Sequence, residues 1–310
     1  MRISLEEAVR LLTHDQVVAI PTETVYGLAA SIAFPHAIAR IFTLKGRPSS
    51  NPLIIHASSE KQVVALASSL PEGFSELSAA FWPGPMTLVL PVKEEMIASA
   101  IRSGLPTAAF RIPNHLLARE LLEMTGPLVM PSANLSGKPS ATAPEHVEHD
   151  FEADFPVLDG GRCGHGLEST ILIHLEGVWQ IIRLGALPPA SFRSVLGYEP
   201  IVRKESPLDK PICPGQMFRH YAPKAKLILA KEFVEKCDVI VGFSDRTYPV
   251  GSQLITIGSS EDPEHVAENL YSVLRELDER NIACAWVDIN FPGTGLWETI
   301  IERLRKASQD

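Results

Sequence analysis

Four polar clusters in this 310-residue sequence sit at the ends of apolar runs, and proline flanks each of them. In the first, Pro21-Thr22-Glu23-Thr24-Val25-Tyr26-Gly27-Leu28, the threonine hydroxyls can donate and accept toward a small polar ligand, or cap the turn's own backbone. The second, Lys45-Gly46-Arg47-Pro48-Ser49-Ser50-Asn51-Pro52, holds two cations one glycine apart in a proline-stiffened segment. Fixed cations with pre-organised donors are what a triphosphate needs, and a solvated charge pair is the plainer alternative. The third, Pro131-Ser132-Ala133-Asn134-Leu135-Ser136-Gly137-Lys138-Pro139-Ser140, offers hydroxyls and an amide after an apolar strand, a composition that also suits a simple turn. The fourth is Arg111, inside the apolar run Ala108–Pro113, and Arg183 repeats it inside Ile181–Leu184. An arginine in a buried strand is costly unless it meets an anion, either a partner carboxylate or a ligand. Two such arginines strengthen the ligand reading.

Two further features are weaker. His146 and His149 have an i, i+3 spacing that suits a metal, but the acidic run around them reads as a solvated helix start. Gly160–Gly166 is either a phosphate nest or a connection, and it lacks GxGxxG spacing. Walker A, HExxH, GxSxG and EF-hand patterns are absent from the sequence. With 28 Lys and Arg against 37 Asp and Glu, the net charge is −9, which excludes a protein whose main task is to coat nucleic acid or an anionic membrane. Cations that cluster in such a chain stand out. Cys163, Cys213, Cys237 and Cys284 form no CxxC pair, so a zinc ribbon or disulfide framework is not expected, and a reducing cytoplasm is. The run Leu77–Val92 is broken by Pro83, Pro85 and Pro91, and no stretch reaches the ~18 apolar residues a membrane span needs.

Elements must position these clusters. Ser4 and Glu7 form a capping box ahead of Leu5, Ala8, Val9 and Leu12, and Val17–Ile20 then reads as a buried strand. Strands are expected at Leu53–Ala57, Met86–Val92, Thr107–Pro113, Leu128–Pro131, Ser169–Leu175 and Trp179–Leu184, the last two as a hairpin. Helices are expected at Pro35–Leu44, Glu60–Leu70, Glu72–Phe81 and His115–Met124, the last capped by Asn114. This mixed order implies an α/β or α+β domain over residues 1–196, a twisted mixed sheet flanked by helices. Prolines 200, 207, 211, 214 and 223 mark residues 197–226 as a linker. Beyond it, strands at Leu227–Leu229, Asp238–Phe243, Leu254–Ile257 and Ala283–Ile289 alternate with helices at Pro263–Arg280 and Leu296–Ala307. Residues 227–310 therefore read as a small Rossmann-like three-layer domain without a dinucleotide fingerprint.

Taken in order, PTETVYGL, KGRPSSNPLIIH, FWPGPMTLVL, AAFRIPNH, PSANLSGKPSAT, DGG with LESTI, and IIRLGA closely resemble the YrdC family. The linker CPGQMFRHYAP and the domain after it resemble its longer, Sua5-type members. Departures are Ala29 in place of a frequent glycine, and Gln216-Met217-Phe218 before the HYAP segment. The resemblance implies synthesis of threonylcarbamoyl-AMP from L-threonine, bicarbonate and ATP with release of pyrophosphate, the first half of making threonylcarbamoyladenosine at position 37 of certain tRNAs. It implies Lys45 and Arg47 as catalytic residues. Thr24, His56, Arg111, Met130 and Ser169 would bind threonine, and Arg47, Asn51, Thr107, Ser132, Asn134, Ser140, Arg183 and Tyr221 would bind ATP, Tyr221 reaching in from the linker as part of a lid. Mg²⁺ would arrive with ATP, held mainly by its phosphates, and no organic cofactor is implied. A downstream threonylcarbamoyl transferase complex is the implied partner, without stable tRNA binding. An RNA-binding or ribosome-maturation factor of the same fold is the alternative, against which the acidic balance speaks.

Overall fold

The computed structural model describes residues 1–48, 50–203, 220–234 and 237–308. Ser49, Cys213 and residues 204–219, most of the expected linker, lie outside the described residues. The chain opens with β1 (Arg2–Ile3) and α1 (Leu5–Leu12). Ser4 Oγ accepts the Glu7 amide at 3.3 Å, but the Glu7 carboxylate turns to Arg10 at 2.6 and 2.7 Å, so only half of the capping box forms. β2 (Val18–Ile20) then passes through the threonine cluster into β3 (Gly27–Ser31), a strand not expected from the sequence. Gly-Leu-Ala-Ala-Ser has little intrinsic β preference. It is extended because it is buried along its whole length and paired on both sides.

There follow α2 (Pro35–Lys45), β4 (Ile54–His56), α3 (Glu60–Leu66), α4 (Phe74–Phe81), β5 (Met86–Pro91), α5 (Ser99–Arg102), β6 (Thr107–Arg111), α6 (Leu116–Thr125) and β7 (Leu128–Val129). Two helix expectations are corrected. α3 stops at Leu66 rather than Leu70, since Ala67 is extended and the Ser68 amide donates to Pro91 O at 3.0 Å. α6 starts at Leu116 behind His115, without a side-chain cap, so Asn114 is not its cap. After α7 (Pro144–Phe151) and β8 (Val157–Leu158), β9 (Thr170–Leu175) and β10 (Val178–Arg183) form the expected hairpin. Its turn residues Glu176 and Gly177 are both left-handed, the twist a two-residue hairpin requires. A short α8 (Arg193–Leu196) comes next.

Among the described residues these strands form one mixed sheet in the order β1-β8-β2-β3-β7-β4-β6-β5-β9-β10. β4 and β6 run parallel with His56 in register with Arg111, so two of the expected ligand residues stand side by side. The second unit contains β11 (Lys226–Ala230), β12 (Val239–Phe243), β13 (Leu254–Gly258), α9 (Pro263–Glu279), β14 (Cys284–Asp288) and α10 (Leu296–Ser308). Its four strands are all parallel, ordered β11-β14-β12-β13. Asp262 caps α9, accepting the His265 amide at 3.0 Å, with Pro263 at the first helical position. Val239, Val241 and Phe243 of the sheet share one core with both helices, and that core continues into Val25, Leu167 and Tyr221. α9 and α10 therefore make the seam between the two sheets. The other face of the small sheet presents Trp286, packed by Phe233 and Tyr248 at ring distances of 5.3 and 5.9 Å. No helix among the described residues is long and apolar enough to cross a membrane.

The seam tolerates little. Gly166 has φ +66°, and a Cβ there would lie 2.4 Å from Ala267 O and Glu268 Cα on α9. Gly166→Ala is expected to lose about 1–2 kcal/mol from the left-handed backbone alone, and more from displacement of α9. A urea midpoint equal to the parent's would contradict this packing.

Candidate active site

A cleft of about 750 Å³, open mouth included, lies where the strand ends of the large sheet meet the seam. Among the described residues, Lys45, Arg47, Arg111, Lys138 and Arg183 line it against one carboxylate, Glu168. In a chain of net charge −9, five cations around one cavity make a site for a polyanion. Of the residues singled out from the sequence, the lining also includes His56, Met130, Ser132, Asn134, Ser140, Ser169 and Tyr221. Thr24, Asn51 and Thr107 are outside it. Thr24 stands one layer back, accepting from Arg111 Nη1 at 2.7 Å. Asn51 is buried and gives its carbonyl to Arg47, and Thr107 opens β6 opposite Pro91.

α2 delivers the first cation. Lys45 is its last residue, and the helix stops there because Gly46 takes the left-handed cap conformation at φ 60°. Lys45 Nζ donates to Ser132 O and Asn134 O, both at 2.5 Å. Burial, with Arg47 nearby, pushes this ammonium well below its ordinary pKa. Arg47 donates to Asn51 O at 3.3 Å and Pro52 O at 3.0 Å. Main-chain carbonyls thus orient both side chains. In the loop 132–140, Asn134 Nδ2 donates to Leu135 O and Lys138 O at 2.8 and 3.0 Å. The buried Asn134 Oδ1 and Asn51 Oδ1 have no hydrogen-bond partner among the described residues, so both acceptors await a donor.

Arg111 resolves the alternatives its sequence left open, because it has an internal carboxylate and also faces the cleft. Nη2 lies 2.7 Å from Glu23 Oε1, Nε donates to Gly84 O at 3.2 Å, and Nη1 donates to Thr24. Burial raises the Glu23 carboxyl, and Arg111 with the Asn114 amide more than reverses this. Two of five guanidinium donors are thus hydrogen-bonded, with the Glu23 ion pair beside Nη2, and the remainder can meet a ligand carboxylate. His56, buried between Arg111 and Arg183, is pushed well below its ordinary pKa, by burial first and by Arg111 second. Its Nδ1 faces Ile54 O at 3.3 Å, so the proton sits on Nδ1 and Nε2 is left as an acceptor. Ser169 Oγ pairs with Thr87 Oγ1 at 2.7 Å, and Arg183 Nη2 donates to Ser169 O and Oγ at 2.9 and 3.1 Å.

The remaining wall comes from the seam. Glu168 accepts Ser140 Oγ at 2.6 Å, Tyr271 OH at 2.9 Å and Arg303 Nε at 3.1 Å. Burial raises this carboxyl, but Arg303 and Arg183 bring it down to about 2. Tyr221 stacks on Tyr271 with ring centroids 5.2 Å apart, beneath the Arg303 guanidinium at 5.0 Å. Glu168, Tyr271 and Arg303 were not expected as site residues. The signal was Glu168 beside Ser169 in an apolar run, while Arg303 on an amphipathic helix resembles a surface charge. The expected solvated start of α7 is also corrected: His146 Nδ1 accepts the Thr142 amide at 3.1 Å, and Val147, Asp150 and Phe151 are buried. Among the described residues no His, Cys, Asp and Glu group suits a metal ion.

Two outcomes check this electrostatic arrangement. Glu168→Gln removes one of the two carboxylates that face the buried Arg303, leaving Glu302, and should cost up to about 3–5 kcal/mol. The parent's Glu168 contribution is complete above pH 4.5 and is lost as pH falls toward 2, because its folded value lies below the ordinary 4.5. Urea titrations across that window should show a steeper acid loss for the parent than for the variant, and equal slopes would refute the assignment. For His56, whose folded pKa is depressed, NMR should show a neutral ring with no titration between pH 8 and pH 6, about its ordinary range; a midpoint near 6.5 would overturn it.

The Sua5, YciO and YrdC family model, described as telomere recombination, matches residues 10–185, and the model described as threonylcarbamoyl-AMP synthase, C-terminal domain, matches residues 187–309. A threonylcarbamoyl-AMP synthase of Bacillus subtilis is 36% identical over 98% of this chain and 92% of its own length. One from Pyrococcus abyssi is 38% identical over 97% of this chain and 93% of its own. The crystal structure of P. abyssi Sua5 complexed with L-threonine superposes with a TM-score of 0.89 at 34% identity, covering 99% of this chain and 96% of that one. With both units matched and the whole length covered, this chain belongs to the Sua5 branch of the YrdC family.

Proposed function

We infer that this chain makes threonylcarbamoyl-AMP from L-threonine, bicarbonate or CO₂, and ATP, releasing pyrophosphate in the first step of tRNA threonylcarbamoyladenosine formation. The observation that carries this is the cleft in which four cations, Lys45, Arg47, Lys138 and Arg183, stand around an uncharged histidine and the braced Arg111. It suits a polyphosphate and an amino acid together. Relatives covering nearly the full chain carry the same activity in their names.

The geometry assigns roles. Arg111, its plane fixed by Glu23, Thr24 and Gly84, meets the threonine carboxylate, and His56 Nε2 and Ser169 offer neutral acceptors beside it. The threonine amine, uncharged, adds to the carbon of bicarbonate with loss of water, giving a carbamate. A carbamate oxygen then attacks the α-phosphorus of ATP in line, the bond to the β-phosphate breaks, and pyrophosphate departs. Lys45, Arg47, Lys138 and Arg183 offset the charge that moves onto the leaving phosphates. Holding three substrates in one cavity supplies much of the rate, since effective molarities of well-oriented groups reach roughly 10⁵ M or more. Mg²⁺ comes with ATP. Glu168, the carboxylate lining the cleft, is committed to Arg303, Ser140 and Tyr271, so phosphate and water oxygens would hold the ion. The product would pass to a threonylcarbamoyl transferase, with the reaction placed in the cytoplasm, where its substrates are pooled.

Pyrophosphate release should require threonine, bicarbonate and ATP together. A signal that survives omission of any one substrate would point to a generic ATPase instead. Lys45→Ala or Arg111→Ala should each cut kcat/KM for threonine about tenfold or more, Arg111→Ala chiefly through KM. A near-normal kcat/KM in a folded variant would remove the role.

A further inference from the structure

The loop from Ser132 to Ser140 supplies Ser132, Asn134, Ser136, Gly137, Lys138 and Ser140 to the cleft, yet beyond a single bridge from Ser132 to Gly27 it contains no helix or strand. Something outside it must fix its shape. Within the large unit, Ser136 N donates to Lys45 O at 2.9 Å, and Leu135 N donates to Asp150 Oδ2 at 3.3 Å. Asp150 sits on α7 with no side-chain exposure, and Lys138 Nζ approaches its Oδ1 at 3.5 Å. A buried carboxylate of this kind needs a full counter-charge, and that charge arrives from the small unit. Arg275, buried in the middle of α9, donates through Nη1 and Nη2 to Asp150 at 3.2 and 2.9 Å. The same guanidinium donates to Pro139 O at 2.6 Å and to Ser140 O at 3.4 Å. Burial raises the Asp150 carboxyl, and Arg275 reverses that, holding it below its ordinary value.

We propose that Arg275 is a positioning residue for the nucleotide side of the cleft, clamping the 132–140 loop from the second unit. It fixes the loop's C-terminal end through Pro139 and Ser140, and its middle through Asp150 and Leu135. Ser140 is held twice, by Arg275 at its carbonyl and by Glu168 at its hydroxyl, and Glu168 is itself held by Arg303 of α10. Both helices of the seam thus reach the same residue. The threonine side is braced separately, by Glu23, Thr24 and Gly84 around Arg111, with no group from α9. A planar fork with five donors can serve a carboxylate and two carbonyls at once, and a lysine cannot. The ligand identities rest on the proposed function, but the clamp itself predicts a one-sided effect.

The test uses the full chain with Arg275→Lys and with the pair Arg275→Met and Asp150→Asn, which leaves no unpaired buried charge if Arg275→Lys fails to fold. Binding of a nonhydrolysable ATP analogue and of L-threonine is measured by calorimetry, alongside the KM of each in pyrophosphate release. In folded variants the analogue's Kd and the KM for ATP should rise about tenfold, with threonine binding within about twofold of the parent. An unchanged ATP Kd overturns the clamp, and so does an equal loss for both ligands, which is what general loosening gives. If the parent binds the analogue but releases no pyrophosphate with threonine, the proposed activity fails while the analogue's Kd still decides the clamp. A parent that does not bind the analogue defeats both.

Discussion

The cleft depends on burying a carboxylate, Glu168, where the two sheets meet. An isolated buried anion would cost far more than a domain's net stability can absorb. Glu168 survives because Ser140, Tyr271 and Arg303 converge on it from the loop, α9 and α10. Each of those groups is then no longer free to move. The hydroxyl of Ser140 is oriented, Tyr271 gives Tyr221 a surface to stack on, and Arg303 lies over the Tyr221 ring and donates to Leu184 O, next to Arg183. One charge therefore organises the loop, the segment entering from the linker, and the end of β10.

A second constraint follows from the acidic composition. Cations in a chain of net charge −9 would normally be neutralised by neighbouring carboxylates. Lys45 is instead placed against two main-chain carbonyls, Ser132 O and Asn134 O. Partial charges fix position and leave most of the positive potential directed into the cavity, where the low dielectric strengthens it. Helix α2 contributes by ending at Lys45 and presenting it beside the loop.

Much of this was legible in the sequence, and the reason differs from residue to residue. Arg111 and Arg183 betray themselves, since a charge inside an apolar strand demands an anion. Lys45, Arg47, Ser132 and Asn134 stand in ordered motifs that carry a family likeness. The hairpin at Glu176 and Gly177 and the cap at Asp262 follow from local chemistry, and both are present, whereas the second unit runs through three strands before its first helix among the described residues. What could not be read is nonlocal. Glu168 and Arg303 are 135 positions apart, and Asp150 and Arg275 are 125 apart. Each member alone looks like an ordinary surface charge, and only the packing of α9 and α10 against the large sheet reveals the pairs. β3 was hidden for a related reason, because its small residues become a strand only between two neighbours.

Tyr221 is the feature with the widest reach. Held at a left-handed φ of 65°, it touches the cleft on one side and the Tyr271 ring on the other. Any ligand that favours this placement of Tyr221 must, by thermodynamic reciprocity, strengthen the docking of α9 and α10 by the same free energy it gains from the tyrosine. The second unit is then more than a support. It shares in the binding energy, and the grip between the two halves of the molecule becomes a measure of how full the cavity is.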